Sequence, residues 1–179
     1  IIDFGENQVK EAKIKFENLK FRNTITLHLI GHLQSNKTKK AVEIFDVIQT
    51  VDSIKIAEKI NKEAQKIHKK QKIFVQINIS RDKKKFGFLK HEVEKNIKNI
   101  QKYQFIKPIG IMVITKQTKE QEKTKQYFQE TKKIQKRIQK IDSRYVNISM
   151  GMSKDYLLAV NEGATHVRIG TAIFGARKE

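Results

Sequence analysis

The chain has 179 residues, with 38 Lys and Arg against 19 Asp and Glu, and a formal net charge of +19. That length suits a single domain, residues 1–179, that buries most of its core without crosslinks. The absence of cysteine excludes disulfides, thiolate metal sites and thiol catalysis and fits a reducing cytoplasm, while apolar runs such as Ile109 to Ile114 have the length of a strand and not of a membrane span.

The positive surplus is nearly all lysine. It is spread along the helical stretches in runs such as Lys69-Lys70 and Lys83-Lys84-Lys85, with no interleaved aromatic and basic stacking module. A solvated lysine surface accounts for it, and a charge-driven nucleic-acid binder is the alternative.

In chain order, Ile1 to Phe4 reads as a short strand, and Gly5, Glu6 and Asn7 as a turn into the helical pattern Val9, Ala12, Ile14, Phe16, Leu19. Ile25 to Ile30 is the next strand, after which Ser35 and Asn36 are suited to cap a helix through Val42. Val47 to Val51 is a strand followed by Asp52-Ser53, a cap for the helix carrying Ile56, Ala57, Ile60 and Ala64. Lys72 to Ile79 alternates cleanly and leads through a basic loop at 80–87 to a helix near His91 to Ile100. Ile106 to Ile114 holds the only proline, Pro108, near its start, where a missing N–H is most easily tolerated. A long polar helix from about Lys119 to Ile141, a strand at Tyr145 to Ser149, a helix after Ser153 that stops near Gly163, and a strand at Thr165 to Ile169 complete the order.

Strands alternating with helices at short spacing predict a parallel sheet built from β/α units. Seven strands are visible, so the expected fold class is α/β, an incomplete (β/α)8 TIM-type barrel. An open doubly wound sheet is the alternative, but no glycine-rich dinucleotide fingerprint follows the first strand.

Alternation assigns faces. With Val167 and Ile169 toward the helices, His166, Arg168 and Gly170 face inward, as do Asn147, Ser149, Asn78, Met112, His28 and Asp3. These polar groups gather at the carboxyl ends of the strands, where barrel enzymes place their sites.

Two turns stand out, SMGMS at 149–153 and RIGTAIFG at 168–175. The first reads as a strand-to-helix turn with Ser153 as N-cap and Gly151 easing the bend, and the second as turns permitted by Gly170 and Gly175. Taken together they occupy the last two strand-to-helix loops, where backbone N–H groups surround a phosphate in this barrel class. Arg168 reads either as half of a structural salt bridge or as a ligand contact. His28 reads as a core histidine, and His32, Asn36 and Lys37 as capping and surface residues. No metal-ligand spacing and no nucleophile elbow is present.

The blocks FGENQVKEA at 4–12, HLIGHLQSNK at 28–37, VDS at 51–53, VQINIS at 75–80 with Lys85 and Gly87, GIM at 110–112, SMGMS with Asp155, and GATHVRIGTAIFGAR at 163–177 resemble, in order, the pyridoxal 5'-phosphate homeostasis protein family. The resemblance implies a pyridoxal phosphate (PLP) barrel similar to the amino-terminal domain of alanine racemase. It implies a non-catalytic carrier or regulator in vitamin B6 and amino-acid homeostasis, with a PLP racemase or decarboxylase remnant as the enzymatic alternative. Carried over by position, Ser149, Gly151, Ser153, Gly170 and Thr171 hold the phosphate, and Arg168 faces the pyridine nitrogen. Asn7, His28 and Met112 lie near the cofactor. A permanent cation at that nitrogen keeps it unprotonated and makes the ring a poor electron sink.

In the family the Schiff-base lysine precedes the FGEN block, and this sequence starts at that block. The expectation is therefore a barrel truncated at its amino terminus that holds PLP without a covalent bond. A partial sequence, a truncated product and a degenerate homologue all fit it. The first two lead one to expect unpaired strand edges on either side of the gap. PLP is the expected partner, the expected state is a monomer, and neither a membrane nor nucleic acid is expected to bind.

Overall fold

The computed structural model describes residues 1–80, 82, 85–115 and 120–175. Arg81, Lys83 and Lys84 of the basic loop, the expected helix start at Lys119, and Ala176 and Arg177 at the end of the last glycine-rich block lie outside the described residues. The strands are β1 (Asp3–Glu6), β2 (Thr26–Leu29), β3 (Val47–Val51), β4 (Gln71–Asn78), β5 (Phe88–Leu89), β6 (Ile106–Val113), β7 (Asn147–Met152) and β8 (His166–Arg168). The helices are α1 (Val9–Phe16), α2 (Thr38–Ile44), α3 (Ile54–Lys66), α4 (Val93–Ile100), α5 (Gln121–Ile141), α6 (Tyr156–Asn161) and α7 (Thr171–Phe174).

The strands pair in the order β1-β2-β3-β4-β6-β7-β8, with β5 attached to β4, and every pairing is parallel. The sheet curls until its two ends face one another across the interior. Ser149 of β7 donates to Gln49 of β3 at 2.6 Å, and the His166 ring of β8 lies 5.2 Å from Phe74 of β4 and 6.0 Å from His28 of β2. The result is the expected nearly closed seven-strand barrel. Among the described residues β1 pairs only with β2 and β8 only with β7.

The main apolar layer lies between sheet and helices. In α3 the Ser53 hydroxyl accepts from the Ile56 N–H at 3.3 Å, and Ile56, Ala57, Ile60 and Ala64 form the buried stripe that the periodicity predicts. The same helix ends with His68 at φ 52°, whose N–H and that of Lys69 return to Gln65 and Ala64, the hydrogen-bond pattern of a left-handed helix stop. That turn aims the Lys69 ammonium at the Val42 and Phe45 carbonyls, at 2.6 and 2.7 Å, which locks the end of α2 to α3. A second, smaller cluster of Val47, Phe74 and Met112, with Ile109 and Ile114 beside it, fills the barrel interior.

Several local expectations change. Gly5 and Glu6 belong to β1 and not to a turn, because their ladder with His28 and Leu29 continues. Ser35 and Asn36 do not cap α2: they lie in a 3-10 turn, Ser35–Lys37, where the Thr38 hydroxyl donates to the Ser35 carbonyl at 3.0 Å. The segment after the basic loop makes the two-residue β5 before its helix. The Asn78 amide draws the loop back through the Asp82 and Lys85 carbonyls, and Gly87 turns it at φ 123°. β7 runs three residues past Ser149, so most of SMGMS is strand.

Replacing Ile60, fully buried in the α3 stripe, by Ala is expected to lower unfolding free energy by about 2–5 kcal/mol. Denaturant unfolding followed by circular dichroism measures it.

Candidate functional site

At the carboxyl end of β8, Arg168 turns inward as alternation requires. Its Nη1 donates to the Ser149 hydroxyl at 2.7 Å and its Nη2 to the Val113 carbonyl at 2.9 Å. The residue keeps some solvent exposure, but its guanidinium lies deep. Burial pushes it down to about 10, which still leaves it cationic at neutral pH. Among the described residues no carboxylate makes an ion pair with it, so the salt-bridge reading does not hold.

The contacts of Arg168 continue across the barrel. Ser149 Oγ donates to Gln49 Oε1, Gln49 Nε2 lies 2.9 Å from His28 Nδ1, and His28 Nε2 lies 3.1 Å from Asp3 Oδ1. His28 is thus no isolated core histidine. It belongs to a chain that begins at Arg168 and ends at Asp3. Gln49 was missed, although alternation within VIQTV places it on the inner face with Val47. Burial, opposed by the contact with Asp3, holds the His28 proton affinity below the usual imidazole range. His166 is lowered too, first by burial and then by His28.

The two glycine-bearing turns meet. Ser153 does not cap the helix that follows it. Its hydroxyl accepts from the Gly170 and Ala172 N–H groups of the other turn, both at 3.3 Å. Asp155 stands at the N-cap position of α6 but does not cap it with its side chain, which instead turns back to accept from the Met152 N–H at the end of β7 at 2.7 Å. Gly151, at φ 89°, brings β7 against α6, and a Cβ there would stand 2.5 Å from that of Ala159. Gly170 is different: its φ is −118°, and a Cβ would meet nothing within 4 Å. Its reading as a tight-turn glycine fails, and that reading survives only for Gly175 at φ 78°.

The remaining expected residues spread out. Thr171 starts α7 and is exposed, Met112 is buried in the inner cluster, and Asn7 sits exposed in the bend after β1. The Asn7 backbone packs under Gly31, where a Cβ would come within 2.1 Å of its carbonyl oxygen. His32, expected at the surface, stacks on Phe86 at 3.5 Å and reaches the shielded carboxylate of Asp52 at 3.1 Å. Asp52 is therefore engaged away from the α3 cap. The arrangement can hold an anion at the N–H groups beside Ser153 and an electron-rich nitrogen at Arg168.

Residues 1–178 match the family described as alanine racemase, N-terminal domain. The chain is 37% identical over 177 residues to the pyridoxal phosphate homeostasis protein of Pasteurella multocida, covering 97% of this chain and 76% of that protein. It is 35% identical over 178 residues to the protein of the same name from Synechocystis, covering 99% and 82%. The solved structure of PipY from Synechococcus elongatus without PLP superposes with a TM-score of 0.91 at 36% identity, covering 96% of this chain and 81% of that one. PipY with PLP bound gives 0.88 at 35%. An alanine racemase from Clostridium difficile, 15% identical with a TM-score of 0.82, shares the fold.

Because His28 and His166 bind protons less readily folded than unfolded, they contribute stability above the unfolded pKa of about 6.5 that begins to be lost there and goes on being lost as pH falls through their lower folded values. Denaturant midpoints are expected to drop between pH 7.5 and 5.5, and to drop less in His28→Gln.

Proposed function

The chain belongs to the pyridoxal phosphate homeostasis protein family, and on that footing we propose that it binds PLP as a carrier or regulator of the cofactor's supply. The observation that carries the reading is the guanidinium of Arg168, buried without an ion-pair partner among the described residues, near the joined turns, where the Gly170 and Ala172 N–H groups converge on the Ser153 hydroxyl. PLP presents a phosphate dianion and a pyridine nitrogen, and both find a complement here. PipY, at 35% identity, has been solved with PLP bound.

In this reading the phosphate takes the space left open at Gly170, held by Ser153 and Thr171 and by the Gly170 and Ala172 N–H groups, which would exchange the Ser153 hydroxyl for a phosphate oxygen. Gly151 lets β7 approach α6 and so sets the position of Ser153. Ser149 acts through Arg168, which it orients. Arg168 donates to the ring nitrogen, while Met112 and His28 line the interior and Asn7 the rim. The cofactor supplies an aldehyde reactive toward amines and a ring able to accept electron density. A fixed cation at the ring nitrogen leaves that nitrogen unprotonated and weakens the electron sink, which favours holding the cofactor over turning over substrate. The continuous apolar layer supports reading the chain as one PLP-binding domain.

The charge distribution favours this reading over nucleic-acid binding. Basic side chains pair with acidic ones along α1, α2 and α3 and between α4 and α5, around the outside of the barrel and not along one stripe.

Equilibrium dialysis against PLP tests the proposal. Arg168→Gln removes a charge-assisted donor and is expected to weaken binding about 10- to 100-fold. Gly170→Val fills open space at a φ any residue adopts, and is expected to abolish binding while leaving the unfolding midpoint in place. Wild-type affinity in both variants would sink the assignment. PLP retained after borohydride reduction and denaturation would replace non-covalent binding with an imine to a lysine of this chain.

A further inference from the structure

The polar chain across the interior has a direction. Arg168 can only donate, so Ser149 Oγ accepts from it and spends its own proton on Gln49 Oε1. The Gln49 amide then presents its NH2 to His28 Nδ1, which must be bare to accept it. The one proton of neutral His28 is left on Nε2, facing Asp3 Oδ1, an acceptor when ionised. Four contacts run one way, from a cation in β8 to a carboxylate in β1.

We propose that Gln49 is a positioning residue whose amide senses the protonation state of His28 and thereby sets the direction of the Ser149 hydroxyl beside Arg168. A proton added to His28 lands on Nδ1, where the Gln49 NH2 already points. The conflict is relieved by half a turn of the amide. Oε1 then accepts from Nδ1–H, and Nε2 donates to Ser149 Oγ. The hydroxyl proton, displaced from Oε1, becomes free to serve an acceptor on a ligand in the barrel. With His28 neutral the site offers only the guanidinium; with His28 charged it offers a hydroxyl donor as well.

The groups around His28 are Asp3 from β1, which favours the charged ring, and His166 from β8, 6.0 Å away between ring centres. Lys72 of β4 opposes that charge, and Asp46 before β3 favours it. The residue is 4% exposed, so the neutral form prevails until the solution is acidic enough to overcome burial. His28 and Ser149 match family positions, but Gln49 carries the coupling between them and stands outside that set.

The tautomer is measurable without any ligand, by long-range ¹H–¹⁵N NMR on the histidine-labelled chain. The expected result at pH 7.5 is His28 protonated at Nε2 and bare at Nδ1; an Nδ1–H tautomer would overturn the proposal. In Gln49→Glu the carboxylate can only accept, so His28 is expected to titrate about one unit or more higher. An unchanged midpoint in folded Gln49→Glu also counts against the idea. The ligand arm rests on the PLP reading: the absorption of bound PLP should follow the His28 titration in wild type and lose that dependence in Gln49→Met. If PLP does not bind at all, the proposed function fails, while the tautomer and the Gln49→Glu titration still decide the role of Gln49.

Discussion

The mouth of this barrel depends on keeping a guanidinium cation inside a protein with no carboxylate at ion-pair distance among the described residues and only the field of Asp155 to favour it. An unpaired ion removed from water is unfavourable by about several kcal/mol. The barrel offsets this with a carbonyl at the end of β6 and a hydroxyl on β7, then passes polarisation along the Gln49 amide and the His28 ring to Asp3. What remains at Arg168 is donor capacity not absorbed by a counter-ion. That surplus is what the proposed PLP reading assigns to the ring nitrogen.

The neighbouring turns follow the same economy of partners. Ser153 joins the start of α7 and not its own helix, and Asp155 ties the turn back to the end of β7. Gly151 is needed for close packing under α6, whereas Gly170 faces emptiness. Two glycines that look alike in sequence therefore do different things. One is fixed by the fold, and the other leaves room.

The alternating strands make much of this legible in the sequence. Arg168, Ser149 and His28 read as inward because each sits between apolar residues in strands with a period of two. Gln49 escapes because both alternating faces of VIQTV mix apolar and polar residues, so the pattern groups it with Val47 without saying which face looks inward. Ser153 was misjudged because a serine before a helix has a strong local meaning, and only tertiary contact reveals a better use for its hydroxyl. The pairing of His32 with Asp52 joins positions twenty residues apart and leaves no periodic signature. Strand β5 is too short to show one.

The two ends of the polar chain are also the two edges of the sheet. β1 and β8 share no main-chain ladder among the described residues, yet Asp3 on one and Arg168 on the other are linked through four side-chain contacts. Side chains thus supply a hoop where the backbone supplies none. A ligand that took a donor from Arg168 would draw on this hoop, and would so tie the mouth to the seam of the cylinder.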